Sequence, residues 1–166
     1  MITIRDVTES DVIAISVLNV SAFGQTNEAR LVDTLRDQGC IAHELVAVEQ
    51  DDAGQDDIIG YICFSKFVSP EGWLALAPVS VRSTRQGHGI GGDLIRYGLD
   101  RARQDRADAV VVLGDPIYYH RFGFVFGGPA KLTSPYPEQF MGIYPLAPVT
   151  AAAEVTLVYP APFLEA

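Results

Sequence analysis

Apolar and polar residues alternate with two different periods in the first part of the chain. The segment Ile2–Arg5 alternates residue by residue, and this period of two predicts a first strand. From Glu9–Ala22 the apolar residues recur every three to four positions, which predicts an amphipathic helix. Asn27 can cap a second helix that ends before Gly39. The chain is therefore expected to begin with one strand followed by two helices.

Two longer apolar segments follow these helices. Glu44–Glu49 and Ile58–Val68 predict two antiparallel strands, joined by the acidic, glycine-bearing connector Gln50–Asp57. The aspartates of this connector lack the central glycine and closing glutamate of a calcium-binding loop, so we expect a solvated hairpin tip. Gly60, inside the second strand, indicates a bulge or a close backbone approach.

The middle of the chain combines a buried strand, a helix and a second buried strand. The segment Gly72–Val81 is almost continuously apolar, as in a strand covered on both faces. Pro78 cannot donate to a strand ladder, so this strand should be irregular or unpaired there. A helix is predicted over Ile90–Gln104, with Gly98 permitting close helix–sheet packing. Because that helix joins the two strands, Ala109–Leu113 should run parallel to Gly72–Val81.

The last part of the chain is richer in glycine and proline. Asp115 and Pro116 are suited to the N-cap and first position of a short helix that ends at Gly123. A loop and a last strand, Glu154–Tyr159, complete the pattern. We therefore predict one α/β (α+β) domain over residues 1–166, with a mixed, mostly antiparallel sheet flanked by helices.

A glycine-rich segment lies between the buried strand and the long helix. A strand, a glycine-rich turn and a helix start together suit phosphate, because exposed N–H groups and the helix dipole face the anion. Gly87, Gly89 and Gly92 also satisfy the dinucleotide pattern G-x-G-x-x-G. That pattern belongs in the first strand–turn–helix unit of a dinucleotide fold, whereas here about half the chain precedes it. No Gly-Lys-Ser/Thr occurs, which excludes a P-loop.

Composition narrows the classes of partner. The net charge of −9 argues against nucleic acid and is compatible with a cationic amine, although a solvated acidic surface that serves solubility is the better explanation. No apolar run reaches membrane-spanning length and no signal pattern opens the chain, so a cytoplasmic protein without a membrane partner is expected. Cys40 and Cys63 lack metal-type spacing and are expected to be reduced thiols, with no metal bound.

Two motifs resemble those of a known family. The pattern Gln86-x-x-Gly89-x-Gly91, directly after a strand, resembles the acetyl-CoA pyrophosphate loop of the GNAT superfamily of N-acetyltransferases. The segment 118–124 is similar to that family's tyrosine-bearing helix and its aromatic-Gly-Phe corner. The ending, residues 137–141 and 158–163, resembles a bacterial subgroup of N-acetyltransferases of unknown substrate. The resemblance covers nearly the whole chain.

The resemblance implies a sheet splayed between its two parallel strands, with acetyl-CoA as the acetyl donor. The pantetheine arm would pair with the backbone of the splayed strand at Val79, Ser80 and Val81. Tyr119 would donate a proton to the departing CoA thiolate, with Tyr118 as the alternative. The pyrophosphate would lie on the turn formed by Gln86, Gly87, His88, Gly89, Ile90, Gly91 and Gly92.

The implied reaction is direct attack of a primary amine on the thioester within a ternary complex. A backbone N–H near Val79–Val81 is the candidate oxyanion donor, and the general base is not assigned. His120 follows Tyr119 on a helix, so the two cannot both face one pocket squarely.

The first two helices would form the acceptor wall. Phe23, Glu28 and Arg36 are possible contacts there, although the helix dipole explains both charges. The acceptor is expected to be a small-molecule or peptide amine, and a homodimer is one option for the oligomeric state. A non-catalytic acyl-CoA sensor and a nicotinamide-dependent oxidoreductase that binds NAD remain as alternatives.

Overall fold

The computed structural model describes residues 1–165, which form nine strands and five α-helices. The strands are β1 Ile2–Asp6, β2 Ile41–Gln50, β3 Asp56–Lys66, β4 Trp73–Val81, β5 Ala109–Leu113, β6 Val125–Phe126, β7 Lys131–Thr133, β8 Met141–Pro145 and β9 Glu154–Thr156. The helices are α1 Val12–Phe23, α2 Asn27–Asp37, α3 Ile90–Gln104, α4 Pro116–His120 and α5 Pro162–Glu165. No helix within residues 1–165 is both long enough and apolar enough to cross a membrane.

Seven strands form one sheet in the order β1-β2-β3-β4-β5-β8-β6, and β7 pairs with β9 in a second, small sheet. Every neighbouring pair of the large sheet is antiparallel except β4 and β5, which are parallel. The predicted mixed, mostly antiparallel sheet flanked by helices is confirmed.

A capping box formed by Thr8 and Asp11 precedes the first helix. The Thr8 backbone N–H donates to the Asp11 carboxylate at 2.7 Å, and one 3-10 turn, Glu9–Asp11, precedes α1. The Arg5 guanidinium also donates to Asp11 at 2.7 Å and, as the largest cause, lowers the pKa of this carboxyl to about 2. The ion pair therefore ties the first strand to the start of the helical wall.

Two glycines allow helix α3 to pack closely on the sheet. The β2–β3 register shifts between Ala47 and Val48, opposite Gly60, and a Cβ built on Gly60 would lie 2.9 Å from a Leu94 methyl carbon. A Cβ on Gly98 would overlap the Phe64 ring. Of the two alternatives predicted at Gly60, a bulge or a close backbone approach, the bulge is confirmed, and so is the predicted close packing at Gly98.

The parallel pair separates half-way along β4. Strand β4 pairs with β5 from Trp73 to Leu76, and no farther. The β3–β4 register shifts over the same stretch, between Ile62 and Phe64, where β4 carries Pro78. The irregularity predicted at Pro78 and the predicted splay between the parallel strands are confirmed. This divergence opens the sheet at one edge of its parallel pair.

The C-terminal part differs from the sequence prediction. Strand β8 was not predicted, and it lies between β5 and β6, antiparallel to both. Its segment Met141–Pro145 contains a glycine and a proline, so its strand character comes from pairing with the free edge of β5 rather than from local propensity. The predicted last strand is shorter and ends at Thr156, after which Val158 forms a single bridge with Ser69.

Candidate active site

The glycine turn connects β4 to the N-terminus of α3. Gly87 and Gly89 adopt positive φ angles of 82° and 80°, and Gly89 is the N-cap of α3. A Cβ built on either would meet nothing within 4 Å, so the surface in front of the turn is open. The first N–H groups of α3, from Ile90 to Gly92, point out of the helix without intrahelical acceptors. The backbone can thus receive an anion at this turn.

Two arginines attach the turn to the hairpin below it. Arg82 binds the Asp57 carboxylate at 2.6 Å, and Arg85 binds Glu49 at 2.6 Å. Each guanidinium lowers the pKa of its partner carboxyl through the hydrogen bond. Because these side chains already have acidic partners, the anion-binding capacity of the turn comes from its backbone. The sequence analysis did not predict either pair.

Two residues of β4 direct their backbone polar groups towards the divergence. The Arg82 N–H donates to the Ile59 carbonyl at 2.8 Å, which makes these residues a hydrogen-bonded pair of the antiparallel ladder. Such pairs alternate along a ladder, so the polar groups of Val79 and Val81 face away from β3, towards the side where β5 has separated. In agreement, the Val81 carbonyl accepts a hydrogen bond from the Gln86 side chain at 3.2 Å.

Ser80 faces the opposite way. Its hydroxyl donates to Oδ1 of Asn19 on α1 at 2.7 Å, and both side chains are buried. Within residues 1–165, Nδ2 of Asn19 is a buried polar atom without a hydrogen-bond partner. By the same alternation the backbone groups of Ser80 pair with Tyr61 of β3. Ser80 therefore joins β4 to the first helix through its side chain and to β3 through its backbone.

A cavity of about 430 Å³ opens at the divergence of β4 and β5. It contains Val79 and Tyr119 of the predicted site, together with Phe23 and Glu28 of the predicted acceptor wall. Five separate parts of the chain line it, with Phe23, Asn27, Glu28, Leu31, Ala75, Leu76, Ala77, Pro78, Val79, Val111, Leu113, Tyr119, Tyr136, Tyr159 and Phe163.

Helix α4 places its two tyrosines differently. Asp115 caps the helix by accepting from the Ile117 N–H at 2.9 Å, as predicted. Tyr119 lines the cavity, and burial, followed by the neighbouring Tyr118, raises its pKa to about 12. The Tyr118 hydroxyl lies at the glycine turn, 3.3 Å from the position of a Cβ built on Gly91. The two phenols thus serve different parts of the cleft.

Neither candidate histidine lies in the cavity. His120 is exposed and is not among the described lining residues. His88 is exposed on the turn, with Nδ1 3.2 Å from the carbonyl oxygens of Arg85 and Gln86. Arg36 also lies elsewhere, because its guanidinium binds Glu44 at 2.7 Å. Of the three possible acceptor contacts, Phe23 and Glu28 line the cavity and Arg36 does not.

Three aromatic cavity residues were missed by the sequence analysis. Tyr136, Tyr159 and Phe163 come from the C-terminal segment, and their rings form one cluster with centroid distances of 5.1 Å. The segment 158–163 was noted for its resemblance, but no periodicity indicates which face of it is functional. These residues reach the cavity only because the last segment crosses back over β4 and β5.

The thiols and acidic groups form no further site in the described residues. Cys40 and Cys63 are both free, and burial raises the pKa of the Cys63 thiol to about 12. Within residues 1–165 no group of three or more His, Cys, Asp or Glu side chains is arranged to hold a metal ion.

A profile of the Acetyltransferase (GNAT) family matches residues 14–124. The N-acetyltransferase YhbS of Escherichia coli K12 is 37% identical over 131 residues, covering 76% of this chain and 75% of YhbS. The crystal structure of E. coli YhbS in complex with CoA superimposes with a TM-score of 0.87 at 32% identity, over 98% of this chain and 92% of that one. A GNAT acetyltransferase from Brucella melitensis in complex with acetyl-CoA gives a TM-score of 0.82 at 32% identity, over 98% of both chains.

Proposed function

The chain belongs to the GNAT family of acetyltransferases, and from this premise we propose that it moves an acetyl group from acetyl-CoA to a primary amine. In this proposal residues 1–166 are a single catalytic domain, and the amine attacks the thioester directly in a ternary complex. The observation that carries the proposal is the cavity at the β4–β5 divergence, because Tyr119 lines it and because β4, which also lines it, leads into the open glycine turn. Two similar proteins bind CoA or acetyl-CoA in their crystal structures.

The donor would lie along the turn and the splayed strand. The N–H groups of the segment Gln86–Gly92 would bind the pyrophosphate, since Gly87 and Gly89 leave that surface open. The pantetheine arm would pair with the backbone groups of Val79 and Val81 that face the divergence, as an added strand pairs with a sheet edge. Ser80 would fix the strand between them through its bond to α1.

The acetyl donor supplies an activated thioester, and the protein would supply one hydrogen bond and one proton. As the amine nitrogen forms its bond to the carbonyl carbon, a backbone N–H of Val79 or Val81 would donate to the carbonyl oxygen. As the carbon–sulfur bond breaks, the Tyr119 hydroxyl would donate its proton to the sulfur of the departing CoA. The amine must lose a proton to a carboxylate or to water for the product amide to form.

Burial of Tyr119 suits this role. A pKa of about 12 keeps its phenol protonated at neutral pH, so the donor is present when the thiolate leaves. A thiolate formed in the same cavity is desolvated too, and its pKa rises in the same direction. The pKa values of the proton donor and the leaving group therefore move in the same direction on burial.

A ligand-dependent melting experiment tests the proposal. A ligand at a hundred times its Kd stabilises the native state by about 2.7 kcal/mol, and about 2–4 °C of Tm accompanies each kcal/mol in a domain of this size. We expect acetyl-CoA to raise Tm by several degrees and NAD to leave it unchanged. A shift with NAD alone would instead favour the oxidoreductase. If acetyl-CoA binds but no CoA is released with any amine of a broad panel, the protein is a sensor.

A further inference from the structure

The cavity has a distinctive distribution of charge. Among its described lining residues, Glu28 is the only one with a charged side chain. Glu28 lies in the first turn of α2, where the helix dipole favours an acid, and both of its oxygens accept from the Gln25 amide at 3.1 and 3.2 Å. The Gln25 bonds orient the carboxylate but leave its charge without a cation.

Three other carboxylates, outside the cavity lining, are neutralised by arginines. Glu49 and Asp57 bind the arginines of the glycine turn, and Glu44 binds Arg36. Within the part of the chain that the structure describes, no Lys, Arg or His forms an ion pair with Glu28. A half-buried carboxylate at a cavity wall, without a cation from the protein, is suited to one from a ligand.

The rest of the wall is aromatic and aliphatic. Tyr136 and Phe163 pack against Tyr159, in edge-to-face and tilted arrangements at 89° and 54°. Phe23 and Leu31 face them from the first two helices. Aromatic rings provide apolar area for a ligand body, and their faces attract a cation. The cavity thus offers one anionic position in an apolar surrounding.

Size and charge exclude several classes of amine. At about 430 Å³ the cavity is in the lower part of the range for small-molecule sites, about 300–1,000 Å³. The thioester end of the donor occupies part of it. Aminoglycosides and polyamines carry several ammonium groups for a single carboxylate. Free amino acids bring a carboxylate, for which the described lining contains no Lys, Arg or His.

We propose, resting on the acetyltransferase function above, that the acceptor is a small primary amine carried on an aromatic or similarly bulky apolar body. Glu28 binds the amino group, and the ring cluster of Tyr136, Tyr159 and Phe163 binds the body. The same carboxylate can accept the proton that the amine loses. The chemical class is that of arylalkylamines.

Calorimetry on the CoA-saturated protein tests the role of Glu28. We expect 2-phenylethylamine to bind more tightly than its uncharged analogue 2-phenylethanol. Glu28→Gln should weaken binding of the amine by about tenfold or more, because the hydrogen bond to a charged group is lost. The affinity for the alcohol should stay unchanged. Glu9→Gln, which removes an exposed carboxylate outside the cavity, is the matched control and should change neither. Equal affinities of amine and alcohol for the wild-type protein would overturn the assignment without any variant.

A second pair of variants tests the aromatic wall. Phe163→Leu should weaken 2-phenylethylamine several-fold but leave methylamine unchanged, because only the larger amine reaches the ring cluster. Phe140→Leu, at an exposed phenylalanine outside the cavity, should affect neither amine. Equal binding of 2-phenylethylamine by Phe163→Leu and by wild type, with unchanged Tm, would show that the ring cluster does not contact the acceptor.

Different results overturn the acceptor class and the acetyltransferase function. Tighter binding of spermidine, kanamycin or phenylalanine than of 2-phenylethylamine overturns the acceptor class, while acetyl-CoA binding still supports the acetyltransferase. Absence of acetyl-CoA binding overturns the proposed function itself, and the acceptor class with it.

Discussion

The donor side and the acceptor side of the cleft are built in opposite ways. The donor side is one continuous stretch, Trp73–Gln104, in which a strand, a glycine turn and a helix follow directly. The acceptor side collects side chains from α1, α2 and the C-terminal segment 136–163 across the sheet. In the proposed function the donor side would act through backbone groups, whereas the acceptor side would act through a carboxylate and aromatic rings.

This difference explains how far each side of the cleft can be recognised from the sequence. A backbone site needs a particular sequence of φ angles, and glycine at the required positions makes it visible over a few residues. A side-chain site needs only that separate residues meet, and any tolerant loop can supply them. A family resemblance carried by the glycine turn therefore indicates the donor and leaves the acceptor to the structure.

The largest expected effect lies where the two sides meet, at Tyr119. Tyr119→Phe keeps the ring in the cavity and deletes the hydroxyl, so kcat should fall by about 10²-fold, the low end for a positioned acid, because water partly replaces it. Acetyl-CoA affinity and Tm should stay near wild type. Stopped-flow or steady-state assays with the chemical step rate-limiting would measure it.

Tyr118→Phe is the control, because its hydroxyl lies at the glycine turn and not in the cavity lining. A matching loss of kcat in this variant would transfer the donor role to Tyr118. The pKa of Tyr119, raised to about 12, also predicts how kcat depends on pH. The phenol is protonated below its pKa, so kcat should not decline between pH 7 and pH 10. A tyrosine with the usual pKa of about 10 would instead be half ionised at pH 10.

A glycine pair tests the backbone character of the donor side. Gly89→Ala and Gly39→Ala replace residues at φ angles of 80° and 69°, each with open space where the Cβ would go. Both should lose about 1 kcal/mol of stability from the left-handed conformation. Only Gly89→Ala should also weaken CoA, by about tenfold, since its methyl group enters the surface where the N–H groups meet phosphate. Equal CoA affinity for the two variants, measured by titration calorimetry, would remove the turn from the donor site.

The same distinction decides how much of the molecule was predictable. The helix predicted from Ile90 to about Gln104 is confirmed, since a strong apolar period and flanking turns define it locally. Gly60, Pro78 and Gly98 each violate a local rule, and each marks a real close approach or irregularity. Local rules and their violations were sufficient for these elements.

The parts that were not predicted depend on partners far along the chain. Strand β8 forms because β5 offers an edge, and Tyr136 and Tyr159 face the cavity because the last segment crosses the sheet. The ion pair Arg85–Glu49 joins residues 36 positions apart, with no periodic signal. No window of sequence contains these partners, so only the tertiary structure reveals them.

The smallest effect is expected at the hydrogen bond that connects the donor strand to the helix of the acceptor wall. Ser80 belongs to the donor strand, yet its hydroxyl donates to Asn19 on α1, the helix that ends in the acceptor wall at Phe23. Ser80→Ala leaves the buried Asn19 amide without this bond, so unfolding by denaturant should show a loss of about 1 kcal/mol. Asn19→Leu combined with Ser80→Ala removes both polar groups and should recover most of that stability.

Acetyl-CoA affinity is the deciding measurement on Ser80→Ala. The side chain of Ser80 faces α1 and its backbone groups pair with β3, so alanine removes no group that faces the donor. Calorimetry should therefore give the wild-type affinity in a slightly less stable protein. The opposite result, full stability with weakened acetyl-CoA, would mean that the hydroxyl contacts the donor. The donor side would then depend on a side chain as well, and its contrast with the acceptor side would no longer hold.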